Sequence, residues 1–287
     1  MTYPKFYKDF KCIADRCSHN CCIGWDIDID PNTYKKYCSL KTPLGDRIKS
    51  NTYTDVEGAH FKSQNGRCPF LNSRGLCDII AELGEDALCD ICTLHPRFRN
   101  FYGEREEWGL GLCCEEAARL TLLCDEPFTL INDGGNGFCR FRARIFSILW
   151  GEGSIDEKVE KILNLCGAVL PDKTTPEWAE FFGSLERLDK KWDDILSLLY
   201  EDREAKLSHE KPFLQLLSYF IYRYLDPEDI ALTAAFSVLS YKIIKEIFIR
   251  GEQTADRLCE TARAYSAEIE YSEENLSEVF IALSAIF

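Results

Sequence analysis

The sequence lacks several features that would have placed it at once. Its 287 positions contain no run of eighteen apolar residues, so no transmembrane helix is expected. The first ten residues, MTYPKFYKDF, have neither an apolar core nor a cleavage site, so no secretory signal is expected and the chain is assigned to the cytoplasm. Basic residues are outnumbered, with 34 Lys and Arg against 48 Asp and Glu, giving a formal net charge of −14 and a pI near 4.9. Such a surface repels nucleic acid and anionic membrane and attracts a basic, lysine-bearing partner. Histidine is scarce: His19, His60, His95 and His209 form no H-x3-H helix pair, although His19 and His95 lie beside cysteines. There is no P-loop, no G-x-S-x-G elbow and no G-x-G-x-x-G opening a helix after a strand. The glycines of DGGNG read as a turn.

Cysteine is what the chain has in excess. There are fifteen, thirteen of them between Cys12 and Cys139. An odd number cannot pair fully within one chain, and a reducing cytoplasm would not keep disulfides. Cys124, Cys139, Cys166 and Cys259 stand among apolar neighbours and read as small buried hydrophobes. Cys17, Cys21 and Cys22 stand beside Asp15, Arg16, Ser18, His19 and Asn20, and thiols in so polar a loop read as metal ligands. Structural zinc takes four ligands, usually in C-x2-C-like pairs, whereas an iron–sulfur cluster accepts four thiolates at irregular spacing. Cys89-x2-Cys92 alone has the zinc-finger spacing, and no matching second pair follows. The spacing therefore indicates a multi-thiolate metal site and leaves iron and zinc open. The C-x3-C-x2-C radical signature begins at Cys17 and Cys21 but meets Gly24 where its third cysteine belongs.

The composition divides the chain into an irregular cysteine-rich half, 1–137, with short strands and helices, and an all-helical half, 138–287. The fold class expected is mainly α, and 46% hydrophobic content is ample for a sizeable core. WDIDID fits a short strand with one wet face. Asp30 followed by Pro31 starts a helix that runs to about Cys38. Residues 41–66 carry weak helical signals only. Short helices are expected before Gly84 and before Pro96, an extended piece over EREEWGLGLCC, and a helix over CEEAARLTLLC with Ala117, Leu120 and Leu123 on one face. INDGGNGF, 131–138, is the candidate linker. Beyond it seven or so segments repeat apolar residues at three and four, and the stripe Phe213, Tyr219, Phe220, Tyr224 reads as core.

Taken in order, FKCIADRCSHNCCIGW, GRCPFLNSRGLC, LCDICTLHPRF and EWGLGLCCEEAARLTLL resemble the bacterial flagellin lysine-N-methylase family, itself similar to cysteine-rich zinc- or iron-chelating domains. The resemblance covers roughly residues 5–125. It implies methyl transfer from S-adenosylmethionine to lysine ε-amines of flagellin, with a cysteine-ligated [4Fe-4S] cluster, or zinc in its place. Carried over, the family's cysteines fall on Cys12, Cys17, Cys21, Cys22, Cys68, Cys77, Cys92 and Cys114. Cys89 and Cys113 are extra, and Glu115 stands where the family has proline. Arg97, in the matching Pro-Arg pair, would offset thiolate charge or grip a carboxylate of the methyl donor. A lysine ammonium must lose its proton before it can attack a methyl group. Among Asp90, Glu107 and Glu116, Glu107 has the best position for a base, on the expected strand leading to Cys114. Two other readings stay open: a thiolate-metal binding or electron-transfer protein without transferase activity, and a zinc-stabilised scaffold whose helical half meets a partner.

Overall fold

A computed structural model describes residues 1–24, 27–201 and 206–285. The chain is mainly α-helical, and among the described residues no strand follows Ile131. Two compact units form, one of residues 11–98 and one of residues 1–10 with 99–287. The boundary thus falls at Phe98 and Arg99 rather than at 137. The reason is pairing distant in sequence. Tyr3–Pro4 lies antiparallel to Leu130–Ile131, and Thr2 both donates to Glu106 and accepts from Trp108. INDGGNGF is therefore not a linker. Thr2 Oγ1 donates to the Asn132 carbonyl, and Asn136 caps the helix that follows.

The smaller unit holds a three-stranded antiparallel sheet, in which Ala59–Phe61 is central between Asp28–Ile29 and Thr52–Thr54. The wet face expected of WDIDID is there, with Asp28 exposed between buried Ile27 and Ile29, while Trp25 and Asp26 lie outside the described residues. Helix α1 (Pro31–Ser39) begins as read: the Asp30 carboxylate accepts from Thr33 N–H. Helix α2 (Pro43–Ser50) carries the same signature, Thr42 capping Gly45 ahead of Pro43, in a stretch read as only weakly helical. Helices α3 (Asp78–Leu83) and α4 (Asp90–Leu94) are short. Helix α3 stops at Gly84, whose φ of +85° is a conformation that β-carbons disfavour. Ile29, Tyr37, Ile48, Phe61, Phe70 and Ile79 form the core.

The larger unit opens with a hairpin, Arg97–Tyr102 and Arg105–Leu110, whose first strand crosses the unit boundary. Nine helices follow among the described residues: α5 (Glu115–Leu122), α6 (Gly137–Leu149), α7 (Ile155–Cys166), α8 (Thr175–Ser184), α9 (Lys191–Ser197), α10 (Lys211–Tyr224), α11 (Ile230–Arg250), α12 (Ala255–Tyr265) and α13 (Glu273–Ser284). Helix α11 is buried over most of its surface and touches α7, α10, α12 and α13, as its long apolar stretch requires, with Lys242 left exposed. Phe213, Tyr219 and Phe220 of α10 are core, as the apolar repeat indicates. Helix α8 was not expected, although its capping box, Thr174 with Glu177, is written in the sequence. The buried face of α5 is Ala117, Ala118, Thr121 and Leu122, whereas Leu120 and Leu123 are only half-buried. Its small residues let α10 and α12 pack close. A π-helical turn, Ser266–Glu270, extends α12.

Candidate metal centre

Five thiols gather on the core of the 11–98 unit. Cys68 and Cys89 are buried within it, and Cys22, Cys77 and Cys92 pack against it half-buried. Each is delivered by a defined piece of backbone. The loop carrying Cys22 is laid against residues 64–68: Ile23 pairs with Arg67, Gly24 N–H donates to Gly66 O at 2.7 Å, and Cys68 N–H donates to Cys22 O at 2.9 Å. Gly24 has a φ of +98°, open to glycine and strained for other residues. Asn20 fastens the same loop to the turn before Cys77, its carbonyl accepting from Cys22 N–H and its amide donating to Gly75 O.

Arg47 organises the next two thiols. From α2 it donates to the Pro69 carbonyl and to the Asp78 carboxylate, each at 2.7 Å, and lies over the Phe70 ring. It therefore grips the neighbours of both Cys68 and Cys77. Cys77 caps α3 and Cys89 caps α4. One helical turn brings Cys92 back over Cys89, with the two sulfurs 3.4 Å apart.

The thiols affect one another electrostatically. Cys92 is pushed up, first by its hydrogen bond to Cys89 and then by burial, with Cys22 and Cys68 adding to the effect. Cys89 is correspondingly lowered. Cys22 is raised by its bond to Cys21, then by burial and by Cys68 and Cys77, whereas Cys21 falls to about 7. Burial lifts Cys68 to about 11 and also raises Cys77. Crowded thiols resist losing a second proton because the resulting thiolates repel, and a bound cation relieves that repulsion. Among the described residues, no three Cys, His, Asp or Glu side chains converge on the position of one ion. The donors are gathered but not closed around a point. A cubane, which gives each thiolate its own iron, requires the gathering and not the single point.

Not every sequence candidate joins this group. Cys12 is exposed, with its sulfur accepting from Ala14 N–H, and Cys17 donates to the His19 carbonyl. Cys21 is linked to the group by its bond to Cys22. Cys114 belongs to the larger unit, half-buried at the N-cap of α5. Beside it Cys113 is bonded to Tyr271 and raised by burial to about 12. A β-carbon on Gly111 would lie 2.0 Å from the Tyr271 oxygen, so a larger residue there would displace that ring from Cys113. Cys89, read from sequence as extra, stands at the heart of the cluster. Its x2 spacing to Cys92 was the available signal.

Arg97 opens the hairpin half-buried, with Nη1 donating to the Thr93 carbonyl at 3.3 Å. Glu107 is fully buried. Its Oε1 accepts from Arg105 at 2.5 Å and from Arg142 at 2.8 Å, and its Oε2 accepts from Arg142 at 2.6 Å. Asp133 completes the cluster by bonding both arginines. A carboxylate so enclosed anchors α6 to the hairpin and is badly placed to accept a proton from a substrate amine. Glu116 is held by Arg119. Asp90 opens onto a cleft of about 610 Å³ that Asp28, Asp55 and His60 also line.

No family model matches the chain, and no solved structure does. Curated relatives do. The flagellar biosynthetic protein FliU of Salmonella muenchen is 33% identical over 125 residues, which make up 40% of this chain and 73% of FliU. The lysine-N-methylases of Salmonella choleraesuis and Salmonella typhimurium are each 32% identical over 125 residues, 40% of this chain and 31% of theirs. The chain thus spans about a third of those two enzymes. No described helix is long and apolar enough to cross a membrane. Identity at this level, sustained over nearly three quarters of FliU, reflects common descent, and the chain belongs to the flagellin lysine-N-methylase family.

Proposed function

We propose that the protein is a cytoplasmic protein-lysine N-methyltransferase. It moves a methyl group from S-adenosylmethionine to lysine ε-amines of flagellin or another lysine-bearing partner. In balance, a carbon–sulfur bond breaks, a carbon–nitrogen bond forms, and the ammonium gives up a proton to solvent or a base. The observation that carries this reading is the similarity to proteins named lysine-N-methylase. The net charge of −14 supports a lysine-bearing partner. Fifteen free thiols fit a reducing compartment.

The gathered sulfurs support a [4Fe-4S] cluster on four of Cys22, Cys68, Cys77, Cys89 and Cys92. Bound there, the cluster would cross-link segments that the chain's few short strands hold only weakly. Cys22, Arg47 and Asn20 set the loops so that the sulfurs meet over one apolar floor.

The test is incubation of anaerobically purified protein with S-adenosylmethionine and flagellin, followed by mass spectrometry. A gain of about 14 Da per methyl on lysine is expected, the mass of replacing N–H by N–CH3. Iron and acid-labile sulfide measured on the same sample report the cluster, and stoichiometric zinc without sulfide would exclude it. The second reading is a thiolate-metal protein without transferase activity. It is favoured by the gathered thiols, which a metal-binding role alone would explain, and it stands if metal-replete protein leaves flagellin unmodified.

A further inference from the structure

The larger unit carries a cleft of about 510 Å³ where the hairpin tip, the first turn of α6 and the turn after α10 meet. The size suits a small organic ligand. Its construction follows from strand alternation. Asn100 and Tyr102 turn inward and donate to the carbonyls of Arg223 and Leu225 at the end of α10, at 2.6 and 3.1 Å. Phe101 between them turns outward, 66% exposed. Across the cleft Phe138 leans on Tyr102, with ring centroids 5.3 Å apart, and is backed by the Arg142 guanidinium. Asp226 accepts from the Glu228 N–H at 2.8 Å, fixing a turn that sets two carboxylates on the rim. A β-carbon on Gly137 would meet nothing within 4 Å, so the mouth is open there.

The lining has a definite chemistry. It pairs aromatic faces with carboxylates, and among the described residues it includes no lysine or arginine. A phosphate would be repelled, which disfavours nucleotides and dinucleotides. A cation is favoured twice, by the carboxylates and by the ring quadrupoles. A flat heterocycle can stack on an exposed phenylalanine, and vicinal hydroxyls can donate to a carboxylate. An adenosyl sulfonium joins a flat base, a ribose diol and a positive charge without phosphate, and it is the member of that chemistry that the proposed transferase reading requires.

We infer that this cleft is the methyl-donor site, with Phe101 stacking the adenine, Glu228 and Asp226 receiving the ribose hydroxyls, and the aromatic wall facing the sulfonium. The inference rests on the proposed transferase reading and gives it a place in the fold. Phe101 and Glu228 are both exposed, so neither is needed for folding.

The experiment is calorimetric titration of the metal-replete full chain with S-adenosylmethionine, coupled to hydrogen-exchange mass spectrometry. Phe101→Ala and Glu228→Gln should each weaken binding about tenfold, the usual scale for a lost base stack or charged hydrogen bond. Ile281→Ala, an exposed change on α13, should leave binding unaltered. Bound donor should protect residues 101–103, 136–138 and 226–228. If wild type binds while both variants bind equally well, or protection appears elsewhere, the cleft assignment falls and the transferase reading survives. The same holds if Arg97→Ala abolishes binding while the cleft variants retain it, or if a lysine peptide protects the cleft and the donor does not. If wild type binds no donor at all, both fall.

Discussion

Glu107→Gln separates the two roles open to this carboxylate. In the structure Glu107 neutralises Arg142, which is wholly buried, and shares Arg105 with Asp133. Removing one partner of a buried pair leaves the other charge uncompensated, at a usual cost of about 3–5 kcal/mol. Arg142 would keep one counter-ion, Asp133 at 3.1 Å, whose side chain is 22% exposed and less effective than a buried partner. The loss should therefore sit at the lower end, about 3 kcal/mol. With an ordinary dependence of stability on urea, the midpoint of the larger unit should fall by about 1–2 M. The assay is urea unfolding followed by far-ultraviolet circular dichroism, alongside methyl transfer measured at a temperature where the variant remains folded. Glu107→Leu combined with Arg142→Met should recover most of the loss, because the two fully buried charges go together and Arg105 keeps Asp133 as its partner. If Glu107→Gln unfolds like the wild type yet transfers no methyl group, the structural argument fails and the carboxylate is a proton acceptor after all.

Three further outcomes are expected. Cys89→Ser and Cys92→Ser should each lose bound iron and sulfide, while Cys166→Ser and Cys259→Ser, buried in the larger unit, should keep both; equal loss from all four would show that the ligand group is wrongly drawn. Arg47→Ala should raise hydrogen exchange over residues 68–78 and cost about 1–2 kcal/mol, with Arg47→Lys recovering only part because it cannot bridge two acceptors in one plane; unchanged exchange would refute its positioning role. His60 is clamped by Asp28 at 2.8 Å and Asp55 at 3.1 Å, and the Asp28 bond above all raises its pKa. The stability it adds is complete below the unfolded value of about 6.5 and is lost as pH rises through the higher folded value, so melts of the smaller unit should weaken over that interval and His60→Gln should flatten the profile. A wild-type profile already flat there would contradict the clamp.

Local signals carried the sequence reading furthest. Asp30 with Pro31, Gly84, and the apolar repeats of α10 and α11 each declare themselves within a few residues, and the structure follows them. Cys17, Cys21 and Cys22 stand out in the sequence by their polar loop, whereas Cys68, Cys77 and Cys92 follow from the family resemblance alone, and of these six Cys22, Cys68, Cys77 and Cys92 join the gathered thiols. What failed was distant partnership. Glu107 lies on an ordinary-looking strand, and nothing within ten residues tells that Arg142 buries its charge. The buried face of α5 went to small residues because α10 and α12 come close, a fact absent from the helix's own periodicity. Cys89 falls outside the family's cysteine positions, and only its C-x2-C spacing to Cys92 marks it. The division at 137 failed for a topological reason, since composition cannot show that the first ten residues pair beyond residue 100.

That pairing orders events on the ribosome. Residues 1–10 are made before the cysteine unit, yet their partners, Glu106, Trp108 and Leu130–Ile131, are made only after that whole unit has emerged. Domains fold as units during synthesis. The 11–98 segment can therefore gather its thiols while residues 1–10 still lack their partners. A folding defect in that unit would be felt before the helical scaffold exists to mask it.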